Sequence, residues 1–426
     1  MYKRQVYELS TRVGASDVFD AVRLTGVEVN GSVGNWSARF RMDNDPGIPD
    51  GESRRFIVLG TTGVTIPSGP DFTADTASDL LDNGTQADMI VIAHPDVAGT
   101  GSTLQNLLDY RLLEQGITSK IAWIQDVYDD FNTGLPGPDA IRNFLAWVLS
   151  DAPGEGWADP KPRYVLLVGD GSYDYKGGAA TKNFIPTQIM FKDDPNLGYY
   201  TSDNLLAAVV GNDQLADLVV GRISSGDIPS ANLIIDKILT YSQSPPAGNW
   251  RRHALFISDQ GKNDNVNEAL EFEAINDQGE SYIKIPPHTS RMLRYWSDFG
   301  NGTQTANMRQ AIKDAVNGTD GFSDGAAVAQ YVGHGNFVVW SDDAFFDERF
   351  PASLDTDDLV NGYRLPWLVN HNCLTGGFHT LLDNSMGEDW MKRSGGGGVG
   401  VDAPAGLGSR LSGEVVCDRG GGGVFG

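Results

Sequence analysis

Two residues in the second half of the sequence have the chemistry and the setting for nucleophilic catalysis. His334 closes the apolar run AAVAQYV and is flanked by Gly333 and Gly335; Cys373 closes a second run, LPWLVNHN, and is followed by LTGG. A thiol beside an imidazole supplies what acyl transfer needs. The thiolate attacks a carbonyl carbon, and the imidazole takes the thiol proton or, as a cation, stabilises the thiolate. Flanking glycines let the backbone turn sharply and leave room for a substrate. On this reading the backbone N–H groups of Gly335 and Cys373 hold the developing oxyanion. Each residue alone has an ordinary explanation: a cysteine at a strand end is commonly an inert buried thiol, and a histidine in a Gly-His-Gly turn commonly serves the turn. Their occurrence together, at the ends of two successive strands, is what points to catalysis.

Other reactive side chains compete less well. His371 precedes Cys373 by two residues, so on a strand it shares that face and reads as packing or substrate contact. His379 reads as a helix residue, and His94 stands at a strand end in the first half. Oxygen-rich stretches at Asp259–Glu268 and Ser202–Asn204 suit a hard cation such as calcium, but neither has the EF-hand spacing. The GGGGVG run at 395–400 lacks the GK[ST] of a phosphate-binding loop, which excludes a nucleotide site of that type. The cysteines are Cys373 and Cys417, too few for a disulfide framework or a CxxC metal site.

The elements that position the pair follow from periodicity. Up to about residue 85, runs such as VRLTGVEV and RRFIVLG alternate between turn clusters and predict a β-rich module. From 86 to 244, short buried strands alternate with helices. The strands are ADMIVIA, KIAWIQDVYDDF with its exit loop, RYVLLVGDG and LADLVVGRI; the helices are LQNLLDYRLLEQG, PDAIRNFLAWVLS and IPSANLIIDKILTYSQS. SPPAGNW at 244–250 reads as a linker. From 245 to 410 the alternation restarts with HALFISDQG, SRMLRYW, TQTANMRQAIKDAVNG, AAVAQYVGHG, LPWLVNHNC, SMGEDWMKR and GGGGVGVDAP. Continuous apolar strands imply parallel sheets covered on both faces, and functional groups then gather beyond the carboxyl ends of the strands. Residues 411–426 read as a ragged end.

Composition narrows the function classes. With 426 residues the chain is expected to hold two or three domains, and 40% hydrophobic residues suffice for ordinary cores. A formal charge of −24 repels phosphate backbones, which excludes general nucleic-acid binding. No apolar run is long enough to span a membrane. MYKRQVYELS has no apolar signal region, and the chain is read as a fragment.

The ordered motifs YVGHG, NCLTGGF and SMGEDWMKRSGGGGVGVDAPAG resemble the catalytic run of the gingipain family of clan CD cysteine peptidases. IAHPDV, VYDDFNTGLPGPDAIRNFL, YVLLVGDGSYD, the IPT at 185–187 and TSDN to DLVVGRIS resemble that family's non-catalytic subdomain. The resemblance spans about residues 87–405. It implies a caspase-like fold of two α/β subdomains, a Cys373/His334 dyad, and hydrolysis of protein or peptide substrates through a thioester. It also implies a taste for Arg or Lys before the scissile bond, a secreted or cell-surface location, no cofactor for catalysis, and structural calcium as an option. Such a taste would require an acidic pocket; Asp342 and Asp343 follow His334 and Asp402 stands near the last strand, with none singled out. Some relatives orient the histidine with an acid from the strand that corresponds to ALFISDQG; here Gln260 stands at the best match, with Asp259 before it. Two further readings stay open: a sortase-like transpeptidase of a secretion system, and a degenerate surface-binding module.

Overall fold

The computed structural model describes the strands within residues 1–76 and the chain from 78 to 407, apart from 176–181, 192–198, 284, 350–353 and 381–382. The chain divides into two compact units, 1–76 and 77–426. In the first, strands β1 (Gln5–Ser10), β2 (Asp20–Arg23) and β5 (Arg55–Leu59) form an antiparallel sheet in the order β2-β1-β5, and β3 (Glu28–Ser32) pairs with β4 (Asn35–Arg39) as a hairpin. The ragged end expected at 411–426, with Cys417, lies outside the described residues.

The second unit holds two parallel sheets. The first has the order β11-β8-β6-β7, from β6 (Met89–Ala93), β7 (Ser119–Trp123), β8 (Tyr164–Val168) and β11 (Val219–Ile223). Its strands are apolar on both faces because both are covered. Ile90, Ile92, Val165 and Leu167 pack with α3 (Ile124–Asn132) and α4 (Pro138–Leu149). Met89, Val91 and Val168 pack with α2 (Leu104–Gln115) and α5 (Ile228–Gln243), beyond the single-turn α1 (Pro95–Ala98). Each such fully buried aliphatic side chain contributes about 1.5–3 kcal/mol. One element differs from the periodicity reading: IQDVYDDFN, expected as a strand and its exit, is α3. Its apolar residues Ile124, Val127, Tyr128 and Phe131 fall at helical spacing against the first core.

The second sheet runs β13-β12-β14-β18-β19, all parallel, from β12 (His253–Ser258), β13 (Thr289–Arg294), β14 (Val328–Val332), β18 (Trp367–His371) and β19 (Gly400–Asp402). Leu255, Ile257, Ala329, Tyr331 and Leu368 point into one core, with Met308, Ile312 and Val316 of α8 (Thr305–Asn317). The opposite face carries α6 (Val266–Ile283), where Asn276 bonds Ile257 O and Ser258 Oγ; the short α7 (Tyr295–Asp298) follows β13. Helix α9 (Met386–Lys392) precedes β19. Small antiparallel pieces complete the unit: β9 (Gln188–Phe191) with β10 (Tyr199–Ser202), and β15 (Gly335–Asn336), β16 (Val339–Trp340) and β17 (Phe346–Asp347) in series. This is the two-sheet α/β architecture expected from the strand–helix alternation. Among the described residues no helix is long and apolar enough to cross a membrane.

Candidate active site

Strand register brings His334 and Cys373 side by side. β14 and β18 are parallel neighbours, ending with Val332 opposite His371. His334 and Cys373 each lie two residues beyond that last pair, and Gly333 N–H still donates to His371 O at 3.2 Å. Adjacent strands stand about 4.8 Å apart. Beyond the strands the two tips stay in contact: a methyl group on Gly335 would lie 2.3 Å from Asn372 Nδ2 and 3.3 Å from Cys373 O.

The face of each strand follows from the pleat. Ala329 and Tyr331 enter the α8-side core, so Gln330, Val332 and His334 face α6. His334 does so: its ring meets Phe272 of α6 edge-on at 5.5 Å, and its side chain keeps 33% of its exposure. On β18, Leu368 enters the same core as Ala329, so alternation turns His371 to the α6 face, and Cys373 follows in the bend just beyond the strand. Cys373 is half-buried and forms no disulfide.

The turn after β14 is held from beneath. Asp259 is fully buried, and its Oδ2 accepts the His334 backbone N–H (2.9 Å) and the Tyr331 hydroxyl (3.1 Å), while Oδ1 accepts the Gln260 N–H (2.7 Å). Burial pushes this carboxyl up to about 6, opposed by a hydrogen bond from Ser341 and by the His334 and Gln260 N–H groups. Glycine is required at 333 because a methyl group there would sit 2.2 Å from Asp259 Cβ. Asp259 therefore fixes the backbone of His334. Gln260 takes no part in orienting the ring: its Nε2 donates to Asp343 at 2.6 Å, and Tyr295 Oη donates to the same carboxylate at 2.9 Å.

The acid that faces the imidazole is Glu268, in the first turn of α6. Its Oε2 lies 3.3 Å from His334 Nε2 and accepts the Lys262 N–H at 2.6 Å. Nε2 and Oε2 are close enough for an ion pair, though not aligned as a hydrogen bond. The Glu268 side chain is 12% exposed, so solvent screens the pair only in part. This residue escaped the sequence reading, which took 259–268 as one polar loop. Those oxygens serve Gln260 N–H, Lys262 N–H and the His334 turn, and among the described residues no group of three or more His, Cys, Asp or Glu could hold a metal ion.

Ser341 N–H donates to His334 O at 2.9 Å, making 334/341 a hydrogen-bonded pair of the hairpin. Antiparallel alternation makes Gly335/Trp340 a non-bonded pair, so the Gly335 N–H points out of the ladder. Directly after Cys373, Leu374 adopts φ +63°, a left-handed conformation costing an ordinary residue about 1–2 kcal/mol. Ser341 (φ +68°) and Ala344 (φ +54°) beside the His334 hairpin do the same. Such strained residues gather at functional sites. The Cys373 loop is pinned on all sides: Leu374 N–H to Gly406 O, Gly376 N–H to Pro404 O, Gly387 N–H to Thr375 O, and Met386 N–H to Phe337 O of the hairpin.

His371 lies beside Asp402, which opposes the lowering of its basicity by burial. His379 is in a turn, not a helix, because it plugs the junction with the first sheet: Nδ1 meets Thr201 Oγ1 at 3.0 Å, and burial lowers it to about 4. His94 caps α1, its Nδ1 accepting the Asp96 N–H. A cavity of about 610 Å³ is lined by Gly376 and Phe378 on the Cys373 loop and by Ser224 and Glu388, but not by His334 or Cys373.

Residues 82–416 match peptidase family C25. Gingipain R2 of Porphyromonas gingivalis is 25% identical over 216 residues, which make up 50% of this chain and 24% of that protein. Gingipain R1 of the same organism is 24% identical over 216 residues, 18% of its length. The crystal structure of the Arg-specific cysteine proteinase gingipain R superposes with a TM-score of 0.55 at 20% identity, covering 76% of this chain and 63% of that one. The complex of the Porphyromonas gingivalis pro- and mature domains gives 0.53 at 20% identity, over 75% and 64%. These superpositions establish the caspase-like fold. The chain spans about a quarter of the length of the curated gingipains it matches.

Proposed function

This chain belongs to peptidase family C25, the gingipain family, and from that membership we propose that it is a cysteine endopeptidase acting through Cys373 and His334. The observation that carries the reading is the register of β14 and β18, whose parallel pairing leaves His334 and Cys373 each two residues beyond the same last pair. In the proposed reaction, His334 takes the Cys373 proton through the ring nitrogen turned away from Glu268. The thiolate then attacks the scissile carbonyl, and the Gly335 and Cys373 N–H groups receive the oxyanion. The amine leaves with the proton from His334, and water attacks the thioester to release the acid. Glu268 stabilises the imidazolium that forms between these steps, with the buried Asp259 adding a weaker attraction from beneath, while Gln260 is turned to Asp343.

For specificity we propose an Arg or Lys side chain before the scissile bond. Asp343 is engaged by Gln260 and Tyr295. Asp402 sits opposite Val369 on the neighbouring strand, on the face carrying His371 and Cys373, and is the better carboxylate for a basic side chain. A secreted or cell-surface setting, with protein or peptide substrates, belongs to the same proposal.

The fate of the thioester separates hydrolysis from transpeptidation. A peptide with a single Arg, incubated with the protein and an excess of a small primary amine, is expected to yield mainly the free acid. Predominant amide product would assign the transpeptidase reaction instead. An intact peptide, with the protein folded and Cys373 reduced, would remove the peptidase reading altogether.

A further inference from the structure

Away from the Cys373 site, a dense group of buried titratable side chains lies where α9 meets the ends of β8 and β11. Asp170, two residues past β8, is 2% exposed, and Glu388 on α9 is 5% exposed. Ser224 stands between them, with its Oγ 2.9 Å from Asp170 Oδ1 and 2.9 Å from Glu388 Oε1.

One hydroxyl carries one proton. Between two ionised carboxylates it can satisfy one, and the other contact then sets two acceptors against each other where both carboxyl groups are buried. A second proton on the pair removes the conflict. Glu388 has the partners of an ionised group: Lys392 Nζ donates to Oε1 at 2.8 Å, and Ser385 N–H and Oγ–H donate to Oε2 at 2.9 and 3.0 Å. Besides Ser224, Asp170 Oδ1 receives the Gly171 N–H. The extra proton therefore belongs on Asp170.

The remaining charged groups nearby leave the balance unchanged. Arg222 is paired with Asp203 through two hydrogen bonds of 2.7 and 2.8 Å. His379 is held neutral by burial. Asp389, raised by burial to about 6, is bonded by Asn384, which also accepts from Lys392. One lysine thus faces Glu388, and a charged Asp170 would add an unmatched negative charge.

We propose that Asp170 is held as a neutral carboxylic acid which donates through Ser224 to Glu388, and that this protonated latch is a positioning device for the Cys373 and His334 loops. The connection runs through consecutive residues. Ser385 and Glu388 form the capping box of α9; Met386 N–H holds Phe337 O of the His334 hairpin, and Gly387 N–H holds Thr375 O of the Cys373 loop. At its other end α9 is gripped by Lys237 of α5, whose Nζ donates to Trp390 O and Met391 O. The cavity lined by Ser224 and Glu388 gives the pair a route for proton exchange.

Burial, reinforced by the charge of Glu388, raises Asp170 to about 7. The folded state therefore binds this proton more tightly than the unfolded chain. The latch contributes fully below about pH 4 and fades as the pH rises through about 7.

Infrared difference spectra of the whole chain, taken on either side of about pH 7, test this together with thermal unfolding. The wild type is expected to lose the C=O band of a neutral carboxylic acid as the pH rises. D170N is expected to lose less of that band than the wild type, the remainder coming from Glu348, Asp389 and Asp259, whose carboxyls burial also raises, and its unfolding midpoint should fall less over the same range. E388Q removes the charge of Glu388 but not the burial, so the same band should titrate at lower pH, which decides the matter if D170N does not fold. A band unchanged in E388Q, or midpoints falling in parallel in wild type and D170N, would overturn the latch. The link to peptide-bond chemistry rests on the cysteine-peptidase reading, so alkylation of Cys373 is followed alongside: a titrating band with an unreactive thiol retains the latch and removes only the peptidase.

Discussion

Replacing Cys373 by alanine is expected to reduce peptide-bond cleavage by roughly 10⁶-fold in kcat, the scale on which loss of a nucleophile acts in peptidases. The change removes the sulfur and little else. Cys373 is half-buried and lies beyond the end of β18 rather than in its ladder, so the register with β14 and the pinned loop after it survive. The thermal midpoint should move by no more than an ordinary surface substitution would move it. Turnover of an Arg-containing peptide, measured beside the unfolding transition, checks both halves. A C373A protein with undiminished turnover would leave the thiol without a role.

Glu268→Gln is expected to lower kcat/KM by roughly 10- to 30-fold, with binding of the intact peptide nearly unchanged. The magnitude follows from the geometry. A charged partner for an imidazolium contributes about 1.5–3 kcal/mol when hydrogen-bonded. Here the 3.3 Å contact is not aligned, and the histidine side chain keeps 33% of its exposure, so the lower part of that range applies. Glutamine keeps the shape and can still accept the Lys262 N–H, so the start of α6 should hold. Loss in kcat without loss in KM places the effect on the charge that develops during reaction. An equal loss in both variants E268Q and Q260A would contradict the assignment, because Gln260 is turned to Asp343.

Most of the architecture was legible because its signals are local. Strands such as MIVIA and YVLLV are apolar at every position, as sheets covered on both faces require. Gly116 ends α2 in the left-handed conformation, as its place directly after the LQNLLDYRLLEQ periodicity implies. That the ends of β14 and β18 stand side by side was legible for the same reason, since parallel strands joined by crossovers put their carboxyl ends at one edge.

Glu268 was hidden by composition. The stretch DQGKNDNVNE is dense in polar residues and reads as a loop, yet α6 starts within it at Val266. A signal was present: Asn265 followed three residues later by Glu268 has capping-box spacing, and Asn265 Oδ1 does accept the Asn267 N–H at 3.2 Å. Asp259 was read as a possible partner of the histidine ring, but only the pleat shows that it serves the backbone, one layer below. The Asp170–Ser224–Glu388 group had no sequence signature. Its members come from the ends of two strands and from a helix 164 positions beyond Ser224, and which carboxyl holds a proton depends on burial.

The central claim is that the Cys373 sulfur and the His334 ring act as one unit. Its most direct test is the rate at which a peptidyl electrophile carrying Arg alkylates the folded protein, with the adduct mapped by mass spectrometry. One adduct on Cys373, none on Cys417, and a marked slowing in H334A are the results expected. Alkylation of Cys373 at the same rate with and without the His334 imidazole, no faster than in the unfolded chain, would contradict it.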